Sequence, residues 1–125
     1  MLNVLLVALG GGLGAAGRYG VSLTAPAQAG EWPWATFAIN VTGSLLIGML
    51  GGWLATRGDL GEQWRLFLGV GILGGFTTFS AFSLETMRLI ERSDWLGAST
   101  YSIGSVLAGL AAVGIGLLVA KQVFG

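Results

Sequence analysis

Residues 71–85 read GILGGFTTFSAFSLE and hold many of the groups in this chain that could meet an ion. Gly74 and Gly75 each favour a helix less than alanine does by about 1 kcal/mol, and the β-branched Thr77 and Thr78 add a smaller penalty. A helix is therefore expected to break here, inside an apolar run. A broken helix exposes carbonyls at the end of its first half and amides at the start of its second, which puts a cation site beside an anion site. Ser80 and Ser83 follow at i, i+3 spacing, with Phe79 and Phe82 beside them at the same spacing. A phenyl ring is positive at its edge, so these rings either face an anion or serve as ordinary core aromatics.

Three further runs carry polar groups. Asn40, within FAINVTGSLLIG, is either glue between helices or a donor aimed at a permeating ion. Arg18 interrupts the first apolar run. It either snorkels to the interface or marks the mouth of a pathway, where a cation attracts anions. Tyr101 and Ser105 share a helix face at i, i+4, but the next position on that stripe is Gly109, so the hydroxyls end early. Glu85 stands one turn past Phe82, where it either belongs to a vestibule or pairs with Arg88 at i, i+3. No carboxylate lies in the first, second or fourth apolar run. The embedded groups are donors, a set that favours an anion over a cation or a proton.

The elements that must position these groups follow from composition. Of 125 residues 54% are hydrophobic and 10% charged, too few polar groups to cover a soluble fold. The fold class is all-α integral membrane. A span takes about 20 residues, which allows about four helices in one domain. The expected spans are residues 2–25, 34–56, 63–87 and 96–120, the third broken near its middle. A cleaved signal peptide competes for the first run, because APAQA at residues 25–29 contains small-x-small steps, but no basic segment precedes the run and Arg18 interrupts it. Trp32, Trp34 and Trp53 stand near the ends of the second run, where an aromatic belt belongs. Gly10 with Gly14, Gly48 with Gly52 and Gly71 with Gly75 have the spacing that lets helices approach closely in lipid.

There is no cysteine and no histidine. Disulfides, thiolate chemistry and imidazole bases are thereby excluded, and enzymatic readings become poor. Four helices leave little internal room, so a second copy is expected to complete the core and any pathway. With alternating spans, Arg57, Arg65 and Lys121 share one side of the membrane and Arg18, Arg88 and Arg92 the other. This tie gives the positive-inside rule nothing to act on; either a subtler signal sets orientation or the chain inserts both ways.

The motifs GGGLGAAGRYG, INVTGSLLIG and GGFTTFSAFSLET, in that order, resemble the Fluc (CrcB) family of small microbial fluoride channels, and the likeness covers nearly the whole chain. The resemblance implies an antiparallel, dual-topology homodimer in the inner (plasma) membrane, with two fluoride pathways and a structural sodium ion at the dimer interface. It implies that Gly74 and Thr77 give backbone carbonyls to the sodium, that Phe79 and Phe82 meet fluoride with their ring edges, and that Asn40 is the pore-facing amide. Ser80, Ser83, Tyr101 and Ser105 would form the hydroxyl track, with Arg18 at the positively charged entrance. The partners so implied are a second copy, fluoride and the lipid bilayer, with no nucleic acid. A small multidrug-type exporter is the rival in another class, but it needs a glutamate in its first helix, which this chain lacks. An accessory membrane subunit, with polar residues serving only packing, is the third reading.

Overall fold

The computed structural model describes residues 1–26 and 31–125. Two expectations fall partly or wholly on the others: the cleavage-like steps at residues 25–29 reach outside the described residues, and so does Gly30 in the turn before the second span. Among the described residues, four helical segments are long and apolar enough to cross a membrane. They are α1 (Leu2–Thr24), α2 (Trp34–Leu54), a third segment over Gly61–Glu91, and α5 (Trp95–Phe124). The third segment divides into α3, residues 61–76, and α4 (Phe79–Glu91). The fold is all-helical, with the third span broken near its middle.

Two helices run further than the apolar runs suggest, α4 past Met87 to Glu91 and α5 past Ala120 to Phe124, while α1 and α2 end one and two residues short of the expected spans. Charged side chains end an apolar count, yet they are good helix formers. Arg88 in the last turn of α4 and Lys121 in that of α5 also complement the negative end of the helix dipole. A short turn joins α4 to α5. Ser93 takes a left-handed φ of 59°, and the Asp94 carboxylate caps α5 by accepting from the Gly97 amide at 2.8 Å.

Two helix pairs make the bundle, α2 along α5 and α1 along α3. Both seams are made of glycine. A Cβ on Gly14 would strike the Ile72 carbonyl, and one on Gly75 the Gly11 carbonyl. Across the other seam, a Cβ on Gly48 would strike the Val113 carbonyl, and one on Gly116 the Leu45 carbonyl. Without a hydrophobic drive between helices in lipid, this backbone approach supplies the packing. Large apolar side chains such as Leu5, Leu9, Leu13, Leu107, Leu110 and Leu118 point outward, as a lipid-facing surface requires. The small core lies at one end, where Leu89, Ala98 and Tyr101 pack against Trp32, Phe37, Phe82 and Ile90.

Most of α3 is wound as a π-helix, Arg65–Leu73, and regular α geometry returns over Gly74–Phe76. The break itself falls at Thr77 and Thr78, not at the glycines. Thr77 has φ −79° and ψ 155°, Thr78 φ −147° and ψ 117°, both extended. Gly74 and Gly75 stay helical, and the missing side chain of Gly75 serves the crossing with α1. The Thr77 amide still bonds back to the Leu73 carbonyl, whereas the Thr78 amide is drawn out of the helix by Asn40.

Candidate functional site

Thr78 turns the chain from one half-helix to the next. Its Oγ1 accepts from the Ala81 amide at 3.1 Å, capping α4 in the manner common for threonine at a helix start. Its backbone is held by α2. Asn40 Oδ1 accepts from the Thr78 amide at 2.8 Å, and Asn40 Nδ2 donates to the Thr78 carbonyl at 3.0 Å. The Thr77 hydroxyl donates back to the Leu73 carbonyl at 3.0 Å, while its methyl rests where a Cβ on Gly43 would be.

A cleft of about 400 Å³ opens beside the break. Asn40, Ser44, Gly74, Thr77, Thr78, Phe79, Phe82 and Ser105 line it, together with apolar residues. Among the described residues, no charged side chain reaches its wall. Phe79 is 79% exposed, and its ring centroid lies 5.8 Å from that of Phe82. Phe82 in turn packs on Tyr101 at 5.2 Å. The Ser44 hydroxyl donates to the Asn40 carbonyl at 2.7 Å. The Ser105 hydroxyl is buried and has no hydrogen-bond partner among the described residues. A buried hydroxyl without a partner is costly, so one in a cleft wall marks a place where something polar belongs.

Five of the expected pathway and cation-site residues thus share the cleft with Gly74: Asn40, Phe79, Phe82, Ser105 and Thr77. The others lie elsewhere. Ser80 sits within 3.3 Å of the Thr78 hydroxyl, and Ser83 donates to the Phe79 carbonyl at 2.9 Å. Tyr101 is fully buried behind Phe82, and its only hydroxyl hydrogen goes to Glu85 Oε2 at 2.7 Å. Thr36 donates to the other oxygen of Glu85 at 2.8 Å. Glu85 is therefore held by α2 and α5 and not by Arg88; among the described residues the only ion pair is Glu62 with Arg65, at 2.9 Å. Arg18 is half-buried, and its Nε donates to the Gly75 carbonyl at 3.2 Å.

Thr36 and Ser44 were not singled out from the sequence, although a signal was present. They flank Asn40 at i−4 and i+4, so the three make one polar stripe along an otherwise apolar helix.

The backbone at the break also suits a small cation. With the Thr78 amide given to Asn40, the Gly74 carbonyl loses its partner four residues on, and the extended Thr77 carbonyl points out of the helical ladder. Carbonyl oxygens released in this way are the kind of donor that a hard monovalent ion accepts in place of water.

A protein-family model described as CrcB-like protein, Camphor Resistance (CrcB), matches residues 5–117. The chain is 53% identical to a fluoride-specific ion channel FluC of Methylobacterium nodulans, over 98% of each of the two chains. It is 51% identical to a protein of the same description from Caulobacter sp. (strain K31), over 99% of this chain and 98% of that one. A third relative so described, from Novosphingobium aromaticivorans, is 52% identical over 98% of this chain and 99% of its own.

Proposed function

The chain belongs to the CrcB-like family, and from that membership we propose that it is a channel passing fluoride down its gradient, a multi-pass protein of the plasma membrane and not an enzyme. One observation carries the reading at the level of chemistry. The cleft beside the break offers, among the described residues, an unpartnered buried hydroxyl, Ser105, and phenyl rings, with no carboxylate in its wall. An anion is the ligand such a wall suits, and a small one replaces its water only where donors stand close.

In this reading the cleft is half of a pathway, walled by Asn40, Phe79, Phe82 and Ser105. Ser80 and Ser83 lie on the first turns of α4, and Arg18 contributes positive charge near the entrance. Tyr101 acts as a wall beneath Phe82, because its hydroxyl is already committed to Glu85. A second copy, inserted antiparallel, closes the open side and gives two such pathways per dimer; the even split of basic residues across the membrane supports this. The carbonyls of Gly74 and Thr77 hold a structural sodium ion at the interface, where its charge neutralises dipoles that would otherwise face each other unscreened.

The test is passive efflux from liposomes containing the purified protein, comparing fluoride with chloride, with Phe82→Ile run alongside. Fluoride loss without chloride loss, abolished in a variant that still assembles, is the expected result. No fluoride flux from correctly assembled protein overturns the assignment in favour of an accessory subunit.

A further inference from the structure

Resting on the channel reading above, we propose that Asn40 and Arg18 are positioning residues that decide which main-chain carbonyls the break presents to a monovalent cation. In an unbroken helix each carbonyl accepts from the amide four residues on. Asn40 interrupts that pattern from 38 residues away in sequence, engaging both the amide and the carbonyl of Thr78. One side-chain amide thereby does for a single residue what a neighbouring strand does in a sheet. Two consequences follow. The Thr78 carbonyl is occupied, and the Gly74 carbonyl is released.

Arg18 acts from the opposite side. Its Nε takes the Gly75 carbonyl, and the guanidinium charge it brings repels a second cation from that side of the half-helix. Of the five carbonyls of residues 74–78, those of Gly75 and Thr78 are therefore consumed by α1 and α2. Of the other three, those of Gly74 and Thr77 belong to residues in the cleft wall, and Phe76 is not among the residues that line it. The Thr77 methyl, seated on Gly43 one turn along from Asn40, fixes the peptide between them. On this account the asparagine amide is a splint for the backbone first; its second N–H remains for the pathway.

Purified full-length protein in detergent is melted by tryptophan fluorescence across a series of sodium concentrations, with N-methylglucamine chloride holding ionic strength constant. The wild type is expected to melt higher as sodium rises. Asn40→Leu and Arg18→Met should raise the sodium concentration for half-maximal stabilisation by at least about tenfold, the loss expected when a hydrogen bond that orders a ligand is removed. Arg18→Lys, which restores a charged donor, should recover part of that shift. Thr100→Val removes a hydroxyl bonded to Trp32, away from the break, and should lower melting equally at every sodium concentration without moving the midpoint.

Unmoved midpoints in both variants would show that the two residues serve packing alone, and the proposal falls. If Asn40→Leu does not assemble, Arg18→Met decides the matter. A wild type indifferent to sodium removes both the cation site and the proposal. Fluoride efflux is read separately in liposomes, so its failure beside a sodium response that moves with the variants would leave the positioning roles standing.

Discussion

The Tyr101 hydroxyl donates to Glu85 Oε2 at 2.7 Å, in the same core where Thr36 donates to Oε1 at 2.8 Å. Three helices are thereby tied to one carboxylate. Tyr101→Phe leaves that half-buried carboxylate short of a donor, and the expected loss of stability is about 1–3 kcal/mol. Thermal melts of the single variants and of Tyr101→Phe with Glu85→Gln check it. The double variant should lose clearly less than the sum of the singles, because the groups act as one network.

Ser105→Ala should separate conduction from stability. Removing a buried hydroxyl that has no partner among the described residues leaves no described group unsatisfied, so the melting temperature should hold or rise slightly. If the hydroxyl serves the ion, fluoride efflux should fall by about 10-fold or more, the scale of one hydrogen bond to a charged group. Unchanged efflux would take Ser105 off the pathway.

Gly75→Ala and Gly12→Ala should move in opposite directions. A methyl at Gly75 meets the Gly11 backbone, which cannot yield, so the α1–α3 seam must open at a cost of about 1–3 kcal/mol or more. A methyl at Gly12 meets nothing within 4 Å among the described residues, and alanine favours a helix there by about 1 kcal/mol. Melts of the two proteins in the same detergent would read the difference.

Asp94→Ala removes the cap of α5 and should cost about 1 kcal/mol of stability. Asp94 does not line the cleft, so fluoride efflux per folded protein should be unchanged. A large change in efflux would mean that the α4–α5 turn takes part in conduction.

Much of this architecture is legible in the chain, for reasons that differ by feature. Span count follows from composition and length alone, and the glycine pairs mark both seams because only a missing side chain lets helices touch there. The break was legible only to within a few residues. Helix propensity pointed to Gly74, Gly75, Thr77 and Thr78 together, with the larger penalty at the glycines, but propensity measures a local cost. What pulls the backbone out of the helix is Asn40 bonding to Thr78 across 38 residues, which no local pattern encodes. Tyr101 illustrates the same limit. Its i, i+4 partnership with Ser105 places both on one helix face, yet the tyrosine hydroxyl is spent on Glu85 and the serine hydroxyl is not. The π-helical turns of α3 had no signal in the sequence either.

The glycine seams also bear on how such a chain can change over time. A seam of leucines and alanines can drift, since a gain in volume on one helix is absorbed by a loss on the other. Where Gly75 meets Gly11 and Gly116 meets the backbone around Leu45, there is no volume left to give up on either side. Compensating pairs of substitutions are closed off at these crossings, and each position must be held singly. Variation is left to the lipid-facing side chains, whose demands are apolarity and length.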